Sequence, residues 1–157
     1  MSAESQDNYT VITDTSCFIL LDKIEALDVL HALYSRIVTT VQIANEFGKP
    51  LPDWIEIKKV NDKDRLNRFA EKVDLGEASA IALAIELTSP LLIIDDLKGR
   101  NLASQLQLNY TGTLGLLISA KQKGIIAVLK PYFEKIKSTD FRITPALLQK
   151  LLEASGE

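Results

Sequence analysis

Apolar residues along the chain follow two periods in turn, and this pattern predicts strands that alternate with helices. Short runs rich in β-branched and aliphatic residues predict strands at residues 9–13, 36–40, 52–60, 91–94 and 110–111. Apolar residues three or four positions apart predict helices at residues 17–23, 27–34, 41–47, 62–73, 78–85, 98–106, 114–123, 128–137 and 145–154. Such alternation is typical of an α/β chain, so we expect a mostly parallel sheet between layers of helices.

The length and composition are those of one ordinary globular domain. The chain has 157 residues, of which 46% are hydrophobic and 25% charged. We expect a single domain over residues 1–157, with residues 1–8 as a flexible start. No stretch approaches the roughly 18 apolar residues of a membrane helix, and the polar start lacks a basic region followed by an apolar one. These features predict a cytoplasmic protein with no membrane partner.

Single cysteine and histidine residues exclude several kinds of site. Cys17 is the only cysteine and lies in an apolar run, so it predicts a small buried hydrophobe and excludes an internal disulfide. His31 is the only histidine, which argues against histidine-rich zinc sites and a Ser-His-Asp triad. The net charge of −3 and the pI of about 5.3 do not by themselves indicate a nucleic-acid-binding protein. Carboxylates remain as the candidate reactive groups.

Five acidic residues stand where an α/β chain brings residues together. Asp14 ends the first predicted strand, Asp95 and Asp96 end the fourth, and Glu46 and Glu77 lie on segments with helical character. The carboxyl ends of parallel strands open onto one crevice, where ligands bind. Carboxylates that converge there repel one another by roughly 4 kcal/mol per pair at about 4 Å. Mg²⁺ or Mn²⁺, which take oxygen ligands, would hold such a cluster together.

Three chemistries use carboxylates at strand ends. A phosphatase of the haloacid-dehalogenase type needs Asp-x-Asp after its first strand, but the residue two positions after Asp14 is Ser16. A phospho-acceptor receiver domain needs an acidic pair after its first strand, whereas Asp95 and Asp96 come late in the chain. Metal-dependent hydrolysis of a phosphodiester needs only carboxylates, one or two divalent ions and a water molecule. The available residues favour the third chemistry.

Four motifs around these acids follow one another in a fixed order. They are Asp14-Thr15-Ser16, Ala44-Asn45-Glu46-Phe47, segment 74–84 beginning Asp74-Leu75-Gly76-Glu77, and segment 94–103 beginning Ile94-Asp95-Asp96. In this order they resemble the motifs of PIN-domain nucleases. The later segments 111–117 and 120–126 are similar to one prokaryotic PIN subfamily of predicted nucleic-acid-binding proteins related to VapC-type toxins. The resemblance runs from about residue 11 to residue 152.

The resemblance implies a three-layer α/β/α sandwich and Mg²⁺- or Mn²⁺-dependent endoribonuclease activity. It places metal-ligand or water-positioning roles on Asp14, Glu46, Glu77 and one or both of Asp95 and Asp96. Neighbouring residues that leave a strand point to opposite sides, so only one of the adjacent pair is expected to face the ion directly. We favour Asp95 as the ligand and Asp96 as a supporting acid.

Other residues receive supporting roles. Thr15 or Ser16 is the expected cap of the first helix. Asp74 is the expected cap of the helix that carries Glu77, with a role in the site as the alternative. Thr113 supplies a small hydroxyl of the kind that many relatives place near the site, although helix capping explains it equally well. The candidate contacts to RNA phosphates are Lys98, Arg100, Lys121 and Lys123, for which a solvated helix face is the structural alternative.

The resemblance also implies partners. A metal-dependent ribonuclease of this kind is expected to be the toxin of a toxin–antitoxin pair, with RNA as substrate and a small antitoxin protein as partner. Helical segments 27–34 and 128–154 offer more apolar faces than one thin sheet needs, which predicts a homodimer. The modest basic character supports an alternative, a non-catalytic nucleic-acid- or protein-binding regulatory module that keeps the fold.

Overall fold

Five parallel strands form a single sheet in the computed structural model, which describes residues 9–157. The strands, in chain order, are β1 Thr10–Thr13, β2 Arg36–Thr40, β3 Ile55–Lys58, β4 Pro90–Ile93 and β5 Asn109–Thr111. Their order across the sheet is β3-β2-β1-β4-β5, and every neighbouring pair is parallel. The predicted flexible start at residues 1–8 lies outside the described residues. The prediction of a mostly parallel sheet is confirmed.

Helices cover both faces of the sheet. They are α1 Thr15–Lys23, α2 Leu27–Leu33, α3 Val41–Phe47, α4 Lys63–Ala70, α5 Leu75–Glu86, α6 Leu97–Gln105, α7 Thr113–Gln122, α8 Lys130–Lys137 and α9 Pro145–Ala154. Parallel strands are joined by right-handed crossovers, so α1 and α2, between β1 and β2, lie on the face opposite α5, which precedes β4. The expected three-layer α/β/α arrangement is confirmed.

The core lies on both sides of the central strands. All four residues of β1 are buried, and α5 packs against β1, β2 and β4 through small residues that let it approach the sheet closely. Large side chains such as Phe18, Ile12 and Phe133 are completely buried, and each contributes about 1.5–3 kcal/mol relative to exposure. Cys17 is also completely buried, as predicted.

The register places two acidic positions side by side at the carboxyl edge. Thr13, the last residue of β1, is paired with Ile93, the last residue of β4. The backbone N–H of Asp14 continues this ladder by donating to the carbonyl of Ile93 at 3.1 Å. Asp14 is therefore level with Ile94, and Asp95 follows one residue further along the neighbouring strand, so both acids lie at the carboxyl edge, as the strand-end pattern predicts.

Several element boundaries differ from the sequence-based expectation. Helix α1 begins at Thr15, so neither Thr15 nor Ser16 caps it, and the cap is Asp14. The strand predicted at 52–60 is limited to Ile55–Lys58, and the helix predicted from residue 128 begins at Lys130. A proline at the start of this helix suits its first turn. Among the described residues, no helix is both long enough and apolar enough to cross a membrane.

Candidate active site

Asp14 is fixed by backbone amides at the junction of β1 and α1. Its Oδ1 accepts a hydrogen bond from the backbone N–H of Cys17 at 2.8 Å, as a helix cap does. Its Oδ2 accepts from the backbone N–H of Asp95 at 3.4 Å. The side chain thus bridges the ends of two adjacent strands, and only 1% of the residue is exposed. Asp14 is held in one orientation, and no basic side chain among residues 9–157 forms an ion pair with it.

Burial strongly disfavours the ionised form of Asp14. Removal from water, with a smaller contribution from the nearby carboxylates of Asp95 and Asp74, raises the pKa of the carboxyl from 3.8 to about 7. The amide donors of Cys17 and Asp95 oppose this rise but do not cancel it. The ionised form of Asp14 therefore destabilises the folded protein, and a nearby positive charge would reduce this cost.

Asp95 is oriented by Thr113, the first residue of α7. Its Oδ1 accepts from the backbone N–H of Thr113 at 2.9 Å, and its Oδ2 accepts from the Thr113 hydroxyl at 2.6 Å. The approach requires glycine at position 112, because a Cβ there would lie 2.8 Å from Asp95 Oδ1 and would meet the guanidinium of Arg100. Thr113 therefore lies next to a predicted site acid, as expected, and acts as its hydrogen-bond partner.

Asp96 has a different environment from its neighbour. Its Oδ2 accepts from the backbone N–H groups of Lys98 and Gly99, at 3.0 and 3.3 Å, so it caps α6. The two adjacent acids thus diverge, with Asp95 towards β1 and α7 and Asp96 towards α6. This divergence agrees with the idea that Asp95 and Asp96 have unequal roles, and the assignment of Asp95 as direct ligand stays a prediction.

Glu77 is the second buried acid of the site. It lies in the first turn of α5, where Asp74 caps the helix by accepting from the backbone N–H of Glu77 at 2.9 Å. The predicted capping role of Asp74 is thereby confirmed. Only 6% of Glu77 is exposed. Burial, followed by the charges of Asp74, Asp96 and Asp14, raises the pKa of Glu77 to about 8.

Glu46 reaches the same edge from α3 and is exposed, as are Asp74 and Asp96. Its Oε1 accepts from the hydroxyl of Thr15 at 2.5 Å. A Cβ on Gly76 would collide with this same carboxylate oxygen. Glycine at position 76 therefore allows the start of α5 to approach Glu46, which links α3, α1 and α5 at the edge of the cleft.

The predicted phosphate contacts are divided between the cleft and distant positions. Lys98 lines a hollow with Asp74, Glu77 and Asp96. Arg100 donates from Nε to the carbonyl of Ile94 at 2.8 Å, and its guanidinium carbon lies 5.4 Å from the centre of the Tyr110 ring.

Two other predicted contacts lie elsewhere. Lys121 is in the last turn of α7 and is held by Glu157 and the carbonyl of Ser155, both at 2.6 Å. Lys123 follows the same helix end as its C-cap. The structure therefore does not bring Lys121 or Lys123 together with the acids, because both stand at the opposite end of the helix that begins at Thr113.

Sequence reasoning missed the segment between α8 and α9. Two grooves of about 550 Å³ each meet at Asp95, and Phe141 and Arg142 line both of them. Lys23 also lines the first groove, and Arg100 lines the second. Residues 138–144 have no helical or strand periodicity, so only the charge of Arg142 offered a signal in the sequence.

The donor set fits a hard divalent cation in its chemistry. Within residues 9–157, no lysine or arginine forms an ion pair with the acids of the cleft, which are Asp14, Glu46, Asp74, Glu77, Asp95 and Asp96. His31 stacks on Trp54 with ring centres 4.4 Å apart, so carboxylate oxygens are the available ligands. In this part of the chain, however, no three such groups are already placed to share one ion. Ion binding therefore requires a side-chain adjustment.

Comparison with known proteins identifies the family. A family model described as a PIN domain matches residues 10–157, which is nearly the whole chain. Neither the comparison with curated proteins nor the comparison with solved structures gives a match. The matched range contains every strand and helix described above and all of the acids at the carboxyl edge. PIN domains are generally nucleases, and this chain belongs to the PIN-domain family.

Proposed function

We propose that this protein is a metal-dependent endoribonuclease that hydrolyses RNA phosphodiester bonds. One observation carries the proposal, which is the pair of buried carboxyls Asp14 and Glu77, whose pKa values rise to about 7 and about 8. A buried acid without a cation costs stability and is retained where function needs it. Because PIN domains are generally nucleases, we infer that this function is the binding of a divalent ion beside the scissile phosphate.

The residues that would hold Mg²⁺ or Mn²⁺ are Asp14 and Asp95, with Glu77 and Asp96 next to them. Such an ion, when bound, polarises a phosphoryl oxygen and lowers the pKa of a water molecule. The backbone amides of Cys17 and Thr113 hold the two aspartates in fixed orientations without neutralising their charge. Fixed oxygen donors of this kind reduce the reorganisation that the reaction requires.

Glu46 is suited to accept the proton that the attacking water loses. It is exposed, whereas Asp14 and Glu77 are buried, so among these three acids it has the best access to solvent. The Thr15 hydroxyl occupies one carboxylate oxygen and leaves the other free to accept a proton. The four predicted catalytic acids thus have two roles. Asp14, Glu77 and Asp95 would hold the ion, and Glu46 would accept the proton of the attacking water.

We further propose that the protein is the toxin of a toxin–antitoxin pair, related to VapC-type toxins, and acts on RNA in the cytoplasm. Leu75 and Leu97 follow the capping acids of α5 and α6 and remain 50% and 70% exposed, which would suit a small antitoxin that covers the cleft. Val128 and Leu147 are 46% and 45% exposed on the segments expected to form a homodimer. These apolar positions are the support for both partners.

A non-catalytic regulatory module is the competing function. It is favoured by the fact that, in the described part of the chain, three carboxylates do not already converge on one point. Such a module would bind nucleic acid or protein without turnover. The two functions differ in whether divalent ions promote RNA cleavage.

The test is RNA cleavage by the purified protein with Mn²⁺, with Mg²⁺ and with a chelator. We expect cleavage only with the ions, and its loss in Asp14→Asn. Asp53→Asn is the matched control, because it removes the same charge from an exposed position just before β3, at the other edge of the sheet. Cleavage that survives both chelation and Asp14→Asn would rule out this site, whereas no cleavage by the wild-type protein favours the regulatory module.

A further inference from the structure

Arg142 occupies a position that no motif in the sequence indicates. Arg142, like its neighbour Phe141 in the segment 138–144, lines both of the grooves that meet at Asp95. Its side chain is exposed. A cation between two grooves that share a site acid lies where a polyanion crossing that acid must pass. On the basis of the proposed nuclease function, we propose that Arg142 binds a backbone phosphate of the RNA strand and guides the strand across Asp95.

The other basic residues of the grooves are already engaged. Lys23 pairs with Asp140 at 3.3 Å across the first groove. Arg100 in the second groove is bound to the carbonyl of Ile94 and lies over the Tyr110 ring. Among residues 9–157, the guanidinium of Arg142 has neither an ion pair nor a hydrogen bond. Of the basic residues that line the two grooves, Arg142 is therefore the one with all of its donors available to a phosphate.

The segment that carries Arg142 is held at both ends. At its start, the hydroxyls of Ser138 and Thr139 donate to carbonyls of the last turn of α8, each at 2.7 Å. At its end, Thr144 caps α9 by accepting from the backbone N–H of Leu147 at 3.2 Å. Phe141 and Ile143 pack against the core on either side of Arg142. The backbone of Arg142 is thus anchored although its side chain is exposed, which lowers the entropy cost of binding a phosphate.

Charge explains why such a residue is needed. The cleft gathers several carboxylates, and a phosphodiester backbone entering it meets like charge. One phosphate contact on a single strand contributes about 0.7 to the slope of log K against log salt concentration. A contact to a phosphate beside the scissile bond acts in the bound substrate and in the transition state alike, so its loss raises KM more than it lowers kcat.

Binding without turnover isolates this contact. Fluorescence anisotropy with a labelled single-stranded RNA of mixed sequence is measured in a chelator, at several salt concentrations. For Arg142→Gln we expect Kd to rise about five- to tenfold near physiological salt and the salt slope to fall by about 0.7. Arg142→Lys should retain most of the slope. Arg68→Gln is the matched control, because Arg68 is exposed on α4 and lies outside both grooves.

Cleavage kinetics separate this inference from the proposed function. With Mn²⁺, Arg142→Gln should raise KM about five- to tenfold and change kcat less than about twofold. The inference on Arg142 is overturned if Arg142→Gln matches Arg68→Gln in Kd, slope and KM, or if the wild-type protein binds no RNA. Wild-type protein that binds RNA but never cleaves it refutes the nuclease function alone, and the anisotropy values then decide on Arg142.

Discussion

Replacement of Asp14 by asparagine tests whether the negative charge of Asp14 destabilises the folded protein. In the folded protein the pKa of Asp14 is raised from 3.8 to about 7, chiefly by burial. Ionisation therefore costs folding free energy, and the cost grows as pH rises from about 4 to about 7 and is constant above that. Asparagine keeps the shape and one acceptor oxygen, so the cap to the backbone N–H of Cys17 survives. The charge alone is removed.

The magnitude follows from the same values. A rise from 3.8 to about 7 corresponds to at most about 4 kcal/mol at pH 8, at about 1.36 kcal/mol per tenfold change in acidity. The weak contact of Asp14 Oδ2 with the N–H of Asp95, at 3.4 Å, is lost, and an amide is buried in its place. These changes cost about 1–2 kcal/mol. We expect Asp14→Asn to be more stable than wild type by about 2 kcal/mol at pH 8 and by almost nothing at pH 5.

Thermal melting without divalent ions checks this expectation. For a chain of this length, about 2 kcal/mol corresponds to a rise in Tm of about 4–8 °C. Asp53→Asn should melt like the wild type at both pH values. Added Mn²⁺ should raise the Tm of the wild type and leave Asp14→Asn unchanged, because binding to the folded state alone stabilises it. A variant that melts below wild type at pH 8, or a difference that does not change with pH, would refute the reasoning.

Two further predictions concern residues that orient the acids. Thr113→Val removes the hydroxyl that donates to Asp95 Oδ2 at 2.6 Å, so we expect kcat for RNA cleavage to fall about tenfold, whereas Thr113→Ser retains it. Gly76→Ala places a Cβ against Glu46 Oε1, which separates Glu46 from Thr15. Alanine favours a helix by about 1 kcal/mol, so this variant should cleave more slowly without a lower Tm, as steady-state cleavage rates and melting curves will measure.

Local patterns predict the elements and the acidic edge of this protein well. The strand at Arg36–Thr40 and the helices Val41–Phe47 and Pro145–Ala154 have the predicted bounds. Their limits are marked by changes of period or by glycine and proline. Asp14 and Asp95 are predictable for the same reason, since each directly follows an apolar run that becomes an inner strand. Features that depend on a few adjacent residues can therefore be predicted from the sequence.

Contacts between distant segments cannot be predicted from local sequence patterns in this way. Lys121 and Arg142 are both basic residues on the late part of the chain, and charge alone favours neither. Folding pairs Lys121 with Glu157, whereas the caps at both ends of 138–144 bring Arg142 beside Asp95. The start of α1 shows the same effect, because Asp14, a candidate site acid, also serves as the cap and sets the helix boundary. Tertiary contacts, which no local period encodes, decide these cases.

The way the acids are held explains why their charge is not neutralised. Asp14, Asp95 and Asp96 all accept hydrogen bonds from backbone N–H groups at or near helix starts, where partial positive charge favours a carboxylate. Amide dipoles orient an oxygen but bring no net charge, so the cleft stays negative while its geometry is fixed. A lysine or arginine in their place would orient the acids equally well and would occupy the space required by the divalent ion that we propose. The stability lost at neutral pH is therefore a direct consequence of keeping that space open.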